Sequence, residues 1–229
     1  MAVVASVQLA DVGTLTALRL LRSAPRPGSI DGLRHANVAA ATPLRAAGAP
    51  RPSLRRVALL AFWDNDDDLD RFQAQHPMAA SLAGGWQARL EPLRAFGTWP
   101  GLPDDLSRER ATDYTGPALV LTLGRLRLTQ VRRFLRTSLA AEAAARAAAG
   151  MVWGTALARP PFVATCSLWE STRDLATYAY GGRKPAHPDA IDADAAKPFH
   201  HQAAFIRFRP YAVAGSLERR NPLPEHALV

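Results

Sequence analysis

Cysteine is almost absent from this chain of 229 residues. Cys166 is the only one, so an internal disulfide is excluded and the sequence predicts a reducing, cytoplasmic location. No run of about 18 apolar residues is present, which excludes a membrane-spanning helix. The first residues, Met1-Ala2-Val3-Val4, lack the basic start of a signal peptide, so we expect no export. With 48% apolar and 21% charged residues, the composition is that of a globular protein.

Lysine is also scarce. Lys184 and Lys197 are the only two, and arginine supplies the rest of a net charge of +8. The arginines are scattered rather than gathered into one stripe with aromatic residues, which argues against a nucleic-acid-binding surface. The spacings H-x3-H, H-E-x-x-H and C-x-x-C are missing, so a zinc site is not expected. A G-x-S-x-G elbow and a phosphate-binding loop are missing too.

What the sequence does contain is an internal repeat. Three pairs of segments match in the same order, at offsets of 114, 106 and 118 residues. The pairs are Leu9–Arg22 with Leu123–Arg136, Ala61–Phe72 with Ser167–Tyr178, and Glu91–Thr98 with Arg209–Ser216. Matches that keep their order indicate two copies of one structural unit. Trp63 and Trp169 are equivalent in this alignment, and we expect both to serve packing.

Each copy has the element pattern β-α-β-β-α-β. Asp11 is placed to cap the first helix, and Asn65 begins a helix with an acidic first turn. The pattern predicts an α+β protein made of two ferredoxin-like halves. We expect an N-terminal half at 1–100, a linker at 101–116, a C-terminal half at 117–217 and a tail at 218–229. Two such sheets can stack or close into a barrel, with a ligand cavity between them.

The offsets also locate an insertion. The second half has additional residues between its second helix and its last strand, and His187 lies in that region. Pro188 follows it and is favoured at the first position of a helix. A helix N-terminus disfavours a charged imidazole, and the neutral form is the one that binds iron. The alternative is that His187 only caps a helix or forms a hydrogen bond within a loop.

A series of short motifs runs through the second half in a fixed order. These are Val152-Trp153-Gly154, Pro160-Pro161, Thr165, Ser167-Leu168-Trp169, Ala179-Tyr180-Gly181, His187 with Ala190-Ile191, Phe199 and Arg207-Phe208. The first half contributes Leu59–Asp64 and the pair Gly97 and Trp99. Together they resemble the spheroidene monooxygenase family over nearly the whole chain. The family pattern leads us to expect an acidic pair after Phe199, where this chain has His200 and His201.

The resemblance implies a dimeric α+β barrel-like fold, a haem cofactor and O2-dependent oxidation of an apolar, carotenoid-like substrate. Electrons would come from an external donor such as a ferredoxin. His187 would hold the iron, and the catalytic polar group on the other side would be His200 or His201. Arg207 and Arg209 would neutralise the haem propionates.

The residues themselves leave alternatives open for these positions. Adjacent side chains on an extended backbone point to opposite faces, so only one of His200 and His201 can face a cavity. The alternative for both histidines is a polar strand entry. Arg207 and Arg209 share one strand face with Phe205, and on a wet face they would be ordinary solvated charges. Cys166 is expected to be a small core residue.

Two further functions fit the same scaffold. One is a protein that binds haem or a hydrophobic ligand without turnover, and the other is a cofactor-free oxygenase, because a fold does not fix a function. The sequence also leaves a homodimer and a peripheral membrane contact open.

Overall fold

The computed structural model of the protein describes residues 3–44, 53–180, 198–217, 221–223 and 228. The first half contains β1 (Val4–Asp11), α1 (Thr14–Arg22), β2 (Leu33–Pro43), β3 (Arg56–Trp63), α2 (Asp66–Gln75), α3 (Pro77–Leu82) and β4 (Trp86–Gly97). The second contains β5 (Ala118–Leu126), α4 (Val131–Ala147), β6 (Met151–Arg159), β7 (Phe162–Trp169), α5 (Thr172–Tyr180) and β8 (His200–Ala214). In the described part of the chain, no helix is both long and apolar enough to cross a membrane.

The strands form one closed antiparallel barrel in the order β1-β3-β2-β6-β7-β5-β8-β4. Each half contributes four neighbouring strands, and the halves join where β2 pairs with β6 and β4 pairs with β8. The element order within each half is the predicted β-α-β-β-α-β. The prediction of an α+β fold with two ferredoxin-like halves is therefore confirmed.

The barrel interior is a packed apolar core. Side chains alternate along each strand, so every second residue points inward. On β3 the inward residues include Leu60 and Phe62, and they meet Trp86, Phe208 and others in one cluster of buried side chains. An eight-stranded barrel is just wide enough for side chains to fill. They occupy the space in which the sequence predicted a ligand cavity.

The helix starts show how local sequence sets the elements. Asn65 caps α2, and its side-chain oxygen accepts a hydrogen bond of 3.0 Å from the backbone N–H of Asp68. The prediction that Asp11 caps α1 is wrong. Asp11 is the last residue of β1, and α1 begins only after Gly13, whose φ of +75° turns the chain between the two elements. That turn takes Asp11 out of the capping position.

The segment between β4 and β5, which we call the strap (residues 98–117), contains no helix or strand. It lies against the barrel, since the backbone N–H of Ala95 donates to the carbonyl of Ser107 over 2.9 Å. At its other end the backbone N–H of Thr172, in α5, donates to the carbonyl of Gly116. The boundaries of the two halves at 100 and 117 stay a prediction.

The helix layers of the two halves are packed very differently. Among the described residues, sixteen buried apolar side chains form the cluster beneath α1, α2 and α3. The corresponding cluster of the second half has three, which are Ala118, Trp169 and Leu175. None of the side chains described in α4 is buried. The second half therefore has the more open helix layer.

Candidate functional site

The open layer lies over a sheet surface of small side chains. Ala156 pairs with Thr165, and Thr165 pairs with Thr122, so these three form a row across β6, β7 and β5. Gly154 and Ser167 form part of the next row. The equivalent surface of the first half carries larger side chains and is fully covered. In the second half the described members of these rows are only half-buried.

One end of this layer opens into a cavity of about 240 Å³. Its lining includes Leu44, Arg146, Met151 and Gly154, so it lies between the C-terminal end of α4 and the β2–β6 pairing. The guanidinium of Arg146 donates a hydrogen bond to the carbonyl of Leu44. The cavity is smaller than ordinary pockets for small organic ligands, which span about 300–1,000 Å³.

His200 lies at the other end of the layer, near the start of α4. The pairing of β5 with β8 skips one residue, because Arg125 pairs with Gln202 and Leu126 pairs with His200. This irregularity leaves His201 without a register partner on β5 and turns the His200 ring onto Gly124. A Cβ on Gly124 would come within 2.4 Å of Cδ2 of His200. Only glycine leaves room for the ring there.

Aromatic rings and backbone bonds hold His200 in place. The Phe134 ring of α4 meets the imidazole edge to face, with 5.4 Å between centroids. The backbone N–H of Arg127 donates to the carbonyl of Phe199 over 2.8 Å, and its Nε donates to the carbonyl of His200 over 3.2 Å. His200 is half-buried, whereas His201 is exposed. Of the two histidines, His200 therefore faces the helix layer.

Arg207 and Arg209 lie with Phe205 on the outer face of β8, as the alternation predicted, and Ile206 and Phe208 point into the barrel. Arg209 is exposed. Its Nη1 lies 3.6 Å from a carboxylate oxygen of Glu91. Arg207 is different, because it is only 7% exposed.

The neighbour of Arg207 is a second buried arginine. Arg94 on β4 is its cross-strand partner and is also 7% exposed. Burial, and then the positive charge of Arg94, lower the pKa of Arg207. Arg94 donates to the hydroxyl oxygen of Tyr180 over 3.5 Å and to the carbonyl of Arg108 in the strap over 3.3 Å. Two like charges are thus held side by side under the strap.

Other predicted positions fall elsewhere. His187 lies outside the described residues. Cys166 is fully buried in the barrel interior, and burial raises the pKa of its thiol to about 12. It is therefore a protonated core residue at neutral pH. Among the described residues, no group of three or more histidine, cysteine, aspartate or glutamate side chains could hold a metal ion.

Comparison with known proteins bears on the fold. No protein-family model matches the chain, and no curated protein matches it. The structure of aldoxime dehydratase matches with a TM-score of 0.50 at 9% identity, over 93% of this chain and 81% of that chain. The protein has the dimeric α+β barrel fold. Both halves of that barrel come from one chain here.

Two other solved structures are similar to this α+β barrel at lower scores. A proposed monooxygenase from Fusobacterium nucleatum has a TM-score of 0.41 and 10% identity, over 96% of this chain and 98% of its own. The heme-degrading enzyme of Listeria monocytogenes has a TM-score of 0.30 and 12% identity, over 87% and 97%. At such identities the likeness concerns the fold alone.

Sequence reasoning missed three residues of this barrel surface. Arg94 is buried beside Arg207, Phe134 packs on His200, and Gly124 makes room for the imidazole. For Gly124 a signal was present, because an isolated glycine inside a strand indicates that another group approaches closely. Arg94 and Phe134 gave no comparable signal, since their importance depends on partners that are distant in sequence.

Proposed function

We propose that this protein is a haem-dependent monooxygenase that uses O2 to oxidise an apolar, carotenoid-like substrate. The observation that carries the proposal is the open helix layer of the second half. There α4 lies over small side chains without burying one of its own described residues. The motifs that resemble the spheroidene monooxygenase family support the same function.

We expect haem to bind between α4 and the row of Thr122, Ala156 and Thr165, whose side chains are small. Because the cavity at one end of this layer holds only about 240 Å³, α4 would have to move outward to admit the flat macrocycle. An iron ligand must be an imidazole or another donor near the macrocycle. His187 would hold the iron, and His200 would supply a polar group near it. The carboxylates of the haem would meet Arg207 at the edge.

Haem would supply the O2 chemistry, with electrons from an external donor such as a ferredoxin. The chain's own residues do the rest. Phe134 and Phe199 shield the His200 imidazole from water by packing against it. The imidazole can then hold or release a proton at a ring nitrogen, which is the usual role of histidine near neutral pH. We expect the apolar substrate to lie against the small side chains of the same layer.

The test is reconstitution of the purified full chain with hemin. We expect a Soret band at one haem per chain, and substrate-dependent consumption of O2 when a reducing partner is added. A protein that binds haem without turnover gives the band but no such consumption. A cofactor-free oxygenase consumes O2 without hemin. If the chain takes up no hemin, the proposal is overturned.

A further inference from the structure

We infer that the outer surface of the β4–β8 pairing binds an apolar carboxylic acid. Arg94, Arg207 and Arg110 would bind its carboxylate, and Phe96 and Phe205 would contact its apolar part. This site shares Arg207 with the proposed haem site, but it does not require haem.

The first argument is the uncompensated charge of the arginine pair. Arg94 and Arg207 are direct cross-strand partners, and each is 93% buried. Among the described residues, neither forms an ion pair. Glu109 in the strap is exposed and pairs with neither. Buried charges normally carry a partner of opposite sign, because desolvation of an unpaired charge is costly.

The second argument is the supply of unused donors. Each guanidinium has five N–H groups. In the described part of the chain, Arg94 uses two of them and Arg207 uses one, at 3.3–3.5 Å and toward uncharged oxygens. The Nε of Arg94 is buried and has no hydrogen-bond partner there. A carboxylate is the group whose two oxygens match such a fork of donors.

A third arginine borders the pair from the strap. The Arg110 guanidinium lies over the Tyr180 ring, 5.0 Å from its centroid, and the Arg110 carbonyl accepts the hydrogen bond from Arg207. Arg110 is exposed, so its side chain can turn toward an incoming anion. Arg94 and Arg110 both contact Tyr180, and Arg207 donates to the carbonyl of Arg110, so three arginines lie close together.

Next to the arginines lies an exposed aromatic pair. Phe96 and Phe205 are cross-strand partners on the same outer face. Each lies two residues along its strand from Arg94 or Arg207. Phe96 is 66% exposed and Phe205 is 40% exposed, with their ring centroids 6.5 Å apart. The two rings offer an adjoining apolar surface that a ligand could cover. A ligand that satisfies both pairs has a carboxylate joined to an apolar body.

The test uses haem-free full chain and two probes of equal shape, 4-phenylbutyrate and its neutral amide. Isothermal titration calorimetry at low salt should give at least about tenfold tighter binding of the acid, which is the effect of one charged contact. Arg207→Met should remove that difference. Arg19→Met is the control, because Arg19 is an exposed arginine on α1, on a different helix layer, and it should keep the difference.

Thermal unfolding separates a binding role from a structural one. Without ligand, Arg207→Met should unfold at the same temperature as the parent or higher, since an uncompensated buried charge is removed. The stabilisation by 4-phenylbutyrate should be lost. A variant that is destabilised but keeps its stabilisation by the acid would overturn the inference. Should Arg207→Met fail to fold, the exposed Arg110→Ala must weaken acid binding instead.

Two further measurements fix the ligand class. Equal affinity for acid and amide, or inorganic phosphate binding as tightly as the acid, would overturn the inference. Competition with hemin then identifies the source of the carboxylate. Either of its two outcomes supports a carboxylate site at the arginines. If hemin excludes 4-phenylbutyrate, the arginines take the carboxylates of a bound tetrapyrrole. If both bind together, the site belongs to a separate apolar acid.

Discussion

Trp63 and Trp169 hold the same place in the two halves of the barrel. Trp63 ends β3 and packs on Phe72 of the next helix, with ring centroids 4.9 Å apart. Trp169 ends β7 and packs on Tyr178 of the next helix, also at 4.9 Å. Both are buried, but Trp63 belongs to the large cluster and Trp169 to the small one.

This difference predicts unequal losses of stability. Removing a buried tryptophan side chain costs most where the surroundings cannot collapse, so we expect Trp63→Ala to lower the free energy of unfolding by about 4–5 kcal/mol and Trp169→Ala by about 3 kcal/mol or less. Urea unfolding followed by circular dichroism measures both. Equal losses would contradict the difference in packing between the two helix layers.

Gly124→Ala should displace the His200 ring. The added Cβ would lie 2.4 Å from Cδ2 of the imidazole, so the variant should lose about 1–3 kcal/mol of stability through overpacking. The side-chain NMR signals of His200 should shift at the same time. Gly84→Ala is the control, because nothing lies within 4 Å of that position. Unchanged His200 signals in Gly124→Ala would show that the ring lies elsewhere.

The histidines should differ in their effect on haem. His187→Ala removes the expected iron bond, so hemin should bind much more weakly while the fold is retained. His200→Ala and His201→Ala should keep the Soret band, and His200→Ala alone should change the binding of small ligands to the iron. Absorption titrations with hemin and carbon monoxide measure this. If His187→Ala keeps a normal spectrum and His200→Ala loses the Soret band, then His200 is the iron ligand and His187 is not.

Stability should fall on acidification because of two histidines. Burial, and then the positive charge of Arg125, lower the pKa of His35 from its ordinary value of 6.5, although Asn37 opposes this shift. Burial lowers the pKa of His76. Below pH 6.5 the unfolded chain therefore binds more protons than the folded one. The free energy of unfolding is at its full value above that pH and decreases as the pH falls below it.

Replacing His35 tests this sign. Between pH 8 and about pH 5 the free energy of unfolding should decrease less steeply in His35→Gln than in the parent, since one of the two proton-linked groups is gone. Leu15→Gln, at an exposed position without a titrating side chain, is the control and should follow the parent. A steeper decrease in His35→Gln would mean that the folded state stabilises the charged imidazole.

The sequence was sufficient for the parts of the fold that depend on local patterns. The repeat and the alternation of apolar residues predicted the two β-α-β-β-α-β units, and Asn65 identified the start of α2. The start of α1 was missed because the turn depends on the positive φ of Gly13 rather than on a capping side chain. Closure into a barrel depends on pairing between distant strands, which local patterns do not contain.

The candidate site was predictable only in part. Alternation correctly placed Arg207 and Arg209 on one face of β8. It did not reveal that Arg94 would be paired with Arg207, because the register of β4 on β8 includes two irregularities. For the same reason the orientation of His200 required the skipped residue between β5 and β8. Register is a tertiary property, and a one-residue shift exchanges the faces of a strand.

Closure of the barrel has a consequence for how the chain can associate. Every one of the eight described strands has a neighbour on both sides. Expressed alone, the first half would leave the edges of β2 and β4 without partners, and such edges pair readily with other chains. Each half therefore covers the edge strands of the other. Because little strand edge is left for strand addition, we expect two copies of the protein to meet mainly through helices, strap or loops.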